Sequence, residues 1–116
     1  MKVKRGEIWY VDLGVGIGSE QNGIRPILIV QNAVGNKYSP TTIISVISSQ
    51  LNKAKLPTHV FIRPTKTNGL NLMSVVFLEQ LRTIDERRLM EKTGDLEVDV
   101  MELVDKALLI SLGLAN

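Results

Sequence analysis

Short runs rich in β-branched and aromatic residues, each closed by glycine, proline, asparagine or serine, fill residues 7–81, and that spacing limits what the chain can become. Residues 7–13, 27–31, 42–48, 59–62 and 74–81 read as five strands, too short and too regularly interrupted for anything but a small barrel or sandwich. Residues 32–40, with Gly35-Asn36 and Ser39-Pro40, read as a turn-rich connection, and residues 49–57 as a basic loop. After Thr83 the period changes. Asp85 is placed to cap a short helix over residues 86–92, and Asp95 a longer one over residues 96–112. In the second, Val100, Leu103, Val104, Ala107, Leu108 and Leu114 recur at helical spacing opposite Glu97, Glu102, Asp105 and Lys106, with Gly113 as the stop signal. The expected class is mainly β within α+β, built as one domain over residues 1–116.

Several kinds of chemistry are disfavoured at once. There is no cysteine, so disulfides, thiolate nucleophiles and cysteine-held zinc are ruled out, in keeping with a reducing cytoplasm. The basic start is followed by Gly6-Glu7 where a signal peptide needs an apolar stretch, and no apolar run is long enough to cross a bilayer. A soluble cytoplasmic protein with no membrane partner is expected. His59 is the sole histidine, the carboxylates Glu7, Asp12, Glu20, Glu79 and Asp85 are scattered, and no Gly-x-Ser-x-Gly elbow occurs. Metal-dependent and serine-nucleophile reactions are therefore disfavoured, and no cofactor is expected. Gly14, Gly16 and Gly18 lack the full dinucleotide-binding pattern and the helix that should follow it. Charge is uneven: residues 1–66 hold nine Lys/Arg against three Asp/Glu, and residues 67–116 five against nine. A basic first part suits a polyanionic partner or, equally, a solvated surface.

The run from Gly18 to Pro26 joins a polar loop to an apolar strand, with Arg25 at the junction and Pro26 extending its backbone. A guanidinium presents a planar fork matched to phosphate oxygens. The alternative is a surface arginine paired with Glu20. Phosphodiester cleavage in RNA needs no protein nucleophile, because the 2′-hydroxyl beside the scissile phosphate can attack once it is aligned and the developing charge is stabilised. Arg25, Ser48, Gln21, Gln50 and Gln80 form a set able to do this.

Several ordered blocks resemble the MazF/PemK toxins, and within them the EndoA-type MazF proteins of Gram-positive bacteria. They are Val3-Lys4-Arg5-Gly6-Glu7-Ile8-Trp9, Gly18-Ser19-Glu20-Gln21-Asn22-Gly23-Ile24-Arg25-Pro26, Gln31-Asn32, Asn52-Lys53-Ala54-Lys55-Leu56-Pro57-Thr58-His59-Val60 and Leu78-Glu79-Gln80-Leu81-Arg82-Thr83-Ile84-Asp85. The resemblance implies a compact SH3-like β-barrel with a C-terminal helix, working as a homodimer. It implies a metal-independent endoribonuclease that cuts single-stranded mRNA at a short sequence, leaving a 2′,3′-cyclic phosphate and a 5′-hydroxyl. A MazE-type antitoxin would lie across the RNA groove. Arg25 and Ser48 match the two catalytic positions, with Ser48 where the family usually has threonine, so that a hydroxyl is kept and a methyl lost. Asn22, and Gly14-Val15 in place of a common Ser-Pro, are further departures.

On that resemblance Arg25 binds the phosphate, stabilises its charge and delivers a proton to the leaving oxygen, while Ser48 bonds a non-bridging oxygen. The group activating the 2′-hydroxyl is unassigned, Glu20 being a candidate and equally a salt-bridge partner of Arg25. Glu20, Gln21, Glu79, Gln80 and the Leu56-Pro57 corner are candidate readers of base edges, with Ile17 and Gln50 beside them. Lys53 and Lys55 would contact backbone phosphates. Two rival readings stay open: a non-enzymatic toxin on the same fold, like the gyrase poisons, and a weakened variant that mainly binds its antitoxin.

Overall fold

The computed structural model describes residues 2–51 and 55–116. Its core is one six-stranded antiparallel sheet in the order β4-β5-β3-β2-β1-β6. The strands are β1 (Glu7–Asp12), β2 (Ile24–Ile29), β3 (Thr41–Ser48), β4 (His59–Ile62), β5 (Ser74–Asp85) and β6 (Leu89–Asp95), with helices α1 (Ala33–Tyr38) and α2 (Val98–Ser111). The five expected strands are all present, and the mainly β class holds.

Alternation along each strand sends side chains to opposite faces, and both faces are apolar. On one, Ile8, Leu28, Ile47, Val76 and Leu78 pack with Val104 and Ala107 of α2. On the other, Trp9, Val11, Ile27, Ile29, Ile44 and Val46 close on one another as the sheet curls. A sheet buried on both faces must fold over itself or be covered, and this one does both.

β4 and β6 end the sheet and do not pair, so the barrel is not closed by a strand ladder. The turn after β4 bridges the gap instead. The Asp95 N–H donates to the Thr67 carbonyl at 2.9 Å. Gly69 has φ +70, and a Cβ there would stand 2.1 Å from the Thr93 carbonyl oxygen, so only glycine allows this approach. Fully buried Asn68 holds the turn, its Oδ1 accepting from Thr65 and Leu70 N–H and its Nδ2 donating to the Arg63 carbonyl and Glu97.

Three expectations are corrected. Residues 32–40 contain α1, because Asn32 caps it by accepting from the Gly35 N–H at 2.8 Å and buried Asn36 bonds Gln31 and Thr42. Residues 86–92 are not a helix. Asp85 does cap a turn, accepting from Arg87 N–H, but the turn is a single 3₁₀ segment, Glu86–Arg88, before β6 begins. The open edge of β1 supplies β6 with backbone partners, and buried Leu89 enters the core below. Asp95 ends β6 and pairs with Lys92 at 3.3 Å rather than capping α2, whose N-cap is Glu97, its carboxylate turned to Thr65 and Asn68 instead of the helix N–H groups. At the other end Gly113 (φ +73) donates to the Ile110 carbonyl and stops the helix as expected.

Candidate functional site

The register of β2 on β3 brings the two candidate catalytic residues together. Ile27 pairs with Val46 and Leu28 with Ser45, so continuing the ladder by two residues sets Arg25 opposite Ser48 on one face. Both line a pocket of about 160 Å³, walled by Tyr10, Pro26, Leu72 and Ser74. Arg25 is half-buried, and its Nε donates to the Asn22 carbonyl at 3.0 Å, leaving the rest of the fork for another acceptor. Among the described residues no carboxylate pairs with it. Glu20 instead accepts from the Ile17 N–H at 2.8 Å, so the salt bridge weighed for it is not formed.

Ser48 is buried, with 1% of its surface accessible. Its Oγ accepts from the Gln50 N–H at 3.1 Å, so the hydroxyl hydrogen is available to a bound oxyanion. Tyr10 and the 70–74 segment were not singled out from sequence. Tyr10 reaches the pocket through its pairing with Pro26 on β2, which only the strand register reveals, and nothing local announces that residues 70–74 return to this pocket.

A second, larger groove lies beside the loop between β1 and β2. Its volume is about 450 Å³, and Gly16, Glu20, Gln21, Glu79, Gln80 and Arg82 line it. Its far wall comes from an irregularity in β5: Ser45 pairs with Leu81 but Val46 with Phe77, so Leu78–Gln80 is extra chain opposite one peptide of β3. Such a bulge redirects side chains that regular alternation would bury. Glu79 and Gln80 therefore reach the groove from adjacent positions.

Both are already bonded. Glu79 accepts from the Thr58 hydroxyl at 2.8 Å and lies 2.9 Å from Nε2 of His59, whose Nδ1 accepts from the Leu56 N–H. Burial raises the Glu79 carboxyl, but the bonds from His59, its own N–H and Thr58 outweigh this and hold it below the usual 4.5. The ring of His59 meets Phe77 edge to face, so this histidine is structural. Gln80 accepts from the Gln21 N–H at 3.1 Å and donates to the Ser19 carbonyl at 3.2 Å. Arg82, not singled out from sequence, donates to the Leu13 carbonyl at 2.9 Å at the root of the same loop.

The remaining candidates are spread more widely. Ile17 is 83% exposed at the loop crest, and Gln50 and Leu56 are also exposed. Pro57 lines a separate groove between β4 and α2, beside Phe61 and Leu103. Lys55 sits over the Phe61 ring, 5.2 Å from its centre, so it faces that side. Lys53 lies outside the described residues. No group of three or more His, Asp or Glu suited to a metal ion occurs among the described residues. Glu7 is structural: burial raises its carboxyl, yet bonds from the Lys4 N–H, Trp9 and Lys92 hold it below its ordinary value. Among the described residues no helix is long and apolar enough to cross a membrane.

Residues 4–112 match the family of PemK-like, MazF-like toxins of type II toxin–antitoxin systems. Endoribonuclease EndoA of Bacillus subtilis (strain 168) is 51% identical over 116 residues, covering 100% of this chain and 99% of that one. An endoribonuclease from a Mycobacterial species, solved with its cognate antitoxin, superposes with a TM-score of 0.80 at 24% identity, covering 98% of each chain. MazF of Deinococcus radiodurans gives 0.80 at 23% identity, covering 97% of this chain and 98% of that one. The two structures establish the fold.

Proposed function

The chain belongs to the family of PemK-like, MazF-like toxins of type II toxin–antitoxin systems, and we propose that it is a sequence-specific endoribonuclease acting on single-stranded mRNA. One observation carries this reading. Arg25, with no carboxylate paired to it among the described residues, and Ser48, whose hydroxyl is left a donor by the Gln50 N–H, line one pocket of about 160 Å³.

In that pocket the fork of Arg25 binds the non-bridging oxygens and Ser48 donates to one of them. The 2′-oxygen of the preceding ribose attacks phosphorus, its proton passing to solvent, and the bond to the 5′-oxygen breaks. Arg25 stabilises the added negative charge, and the leaving oxygen takes up a proton. The products are a 2′,3′-cyclic phosphate and a 5′-hydroxyl. No step requires a metal. A guanidinium is a poor base, so Arg25 does not take the 2′-proton, and Glu20, engaged by the Ile17 N–H, has no contact with Arg25. The groove along Glu20, Gln21 and Glu79 receives splayed bases, with Ile17 on its loop and Gln50 next to Ser48; Leu56 and Pro57, the latter on the separate groove between β4 and α2, meet the RNA beyond it, and Lys53 and Lys55 serve the backbone.

The similarity to an endoribonuclease and to a toxin solved with its antitoxin supports this reading and that of a MazE-type partner covering the groove of a homodimer. The whole of residues 1–116 acts as one domain, in the cytoplasm. A gyrase-poison-like role has no use for the Arg25–Ser48 pocket and is the weaker alternative. The test is to incubate the purified protein with a long RNA in excess chelator and map the fragment ends. Discrete cuts at one short motif, lost in Arg25→Ala, are expected. Cleavage that needs added metal, or that survives undiminished in Arg25→Ala, would overturn the mechanism.

A further inference from the structure

We propose that Gln80 is a positioning residue for Arg25, fixing the loop from which the arginine is aimed; the inference rests on the nuclease reading above. The residues connecting β1 to β2 include four glycines, and Gly14, Gly18 and Gly23 have positive φ values of 73°, 59° and 71°. Such a segment has little stiffness of its own; its two limbs are tied at the base by the Leu13 N–H on the Gly23 carbonyl and the Gly23 N–H on the Gly14 carbonyl, both 2.9 Å, and the rest depends on what grips it from outside. Its root is held by Arg82 on the Leu13 carbonyl and by Arg88 on the Asp12 carbonyl. Its far limb is held by Gln80, whose two amide atoms bond the main chain at Gln21 and Ser19.

The next carbonyl along, that of Asn22, is the one that accepts from Arg25 Nε. A chain of contacts thus runs from the β5 bulge through Gln80 to the backbone at Gln21, then Asn22, then the arginine fork. Loss of the clasp would leave the Asn22–Gly23 peptide, whose carbonyl holds the fork, tied to the opposite limb by the Gly23 N–H on the Gly14 carbonyl at 2.9 Å but without support from β5. Small errors of aim are costly when a phosphate must be held for in-line attack. The orientation of the Gln80 amide follows from its partners: oxygen faces an N–H and nitrogen faces a carbonyl. Each amide atom keeps one bonding position beyond the clasp, a lone pair on oxygen and a second hydrogen on nitrogen, so the cut motif of the variants below separates aim from sequence choice.

Gln80→Met keeps the length of the side chain and removes both bonding atoms; Gln80→Glu keeps the acceptor for Gln21 and loses the donor to Ser19. Solvent exchange of the Arg25 Nε–H and the Gln21 amide, read by NMR, reports the clasp without reference to activity. In Gln80→Met both should exchange about tenfold faster, while kcat falls about tenfold, KM stays within about twofold and the cut motif is unchanged. In Gln80→Glu the Gln21 amide should keep its protection and part of the rate should return. Unaltered Arg25 exchange in Gln80→Met, or a new cut motif with the rate preserved, would overturn the proposal. Should Gln80→Met fail to fold, Arg25 exchange in Gln80→Glu decides: the lost Ser19 bond should speed it, and no change would overturn the proposal. A wild-type protein that cuts no RNA would refute the nuclease reading, and the exchange data would still judge the clasp.

Discussion

The pocket of Arg25 and Ser48 and the groove beside Gln21 are neighbours built by different means. The pocket is a product of strand register: β2 and β3 carry its two polar residues on one face, and Ile27 and Val46, both buried, come next along the strands on that same face. The groove is half loop, and its shape depends on side chains reaching across from β5, Gln80 and Arg82 among them. A site set by a ladder is stiff because many backbone bonds must break together before it moves. A site set by a few clasps can be reshaped by changing one residue. On the function proposed above, the chemistry rests on the ladder-built pocket and base contacts on the groove, with Gln80 the one groove residue that serves the aim of Arg25.

Substitutions in the two regions should consequently fail in different ways. Arg25→Ala should lower cleavage by about a thousandfold with the fold intact, since it removes the principal charge facing the phosphate. Single-turnover rates and a thermal melt check both halves of that statement. Ser48→Ala should cost about thirtyfold in kcat with little change in KM, one hydrogen bond to a charged oxygen being lost. Ser48→Thr keeps the hydroxyl, and its rate should stay within about threefold of the parent; its stability should fall where the added methyl crowds a site that is already closed.

The groove should respond more gently. The Glu79 carboxyl is held below 4.5 in the folded chain, so it adds stability above the unfolded value that is lost as pH falls through the folded value. Urea midpoints of the parent should therefore decline on acidification below about pH 4.5 more steeply than those of Glu79→Gln, which lacks this contribution at neutral pH as well. Smallest of all, Lys55→Ala should weaken RNA binding about twofold to threefold for every sequence alike and flatten the salt dependence by about one phosphate contact. A change of cut motif in Ser48→Ala, or none in any groove variant including Glu79→Gln, would erase the distinction between the two regions.

Much of the sheet was legible because five strands carry their own signals, and the Arg25-Pro26 junction announced itself by the meeting of polar loop and apolar run. α1 was hidden because Gly35, Asn36 and Ser39 are turn formers, and the helix depends on a buried network with Gln31 and Thr42 that no local rule reveals. β6 was hidden behind a genuine capping signal at Asp85; the competing demand, an unpaired edge on β1, lies some eighty residues away in sequence. Of the candidate site residues, Arg25 and Ser48 share one pocket, whereas residues 70–74, which also line it, carry no local signal because they arrive from the turn after β4. Glu79 and Gln80 line the neighbouring groove. Their use as clasps depends on a three-residue bulge, which alternation of apolar residues in β5 does not betray.

The chemistry proposed for Arg25 and Ser48 requires the RNA's own 2′-oxygen as the nucleophile. An RNA carrying the cut motif with a single 2′-deoxyribose immediately before the scissile phosphate should bind as the parent RNA does and remain whole in the presence of chelator. Cleavage of that substrate at the same phosphate would show that another oxygen attacks, and would contradict the chemistry assigned to Arg25 and Ser48.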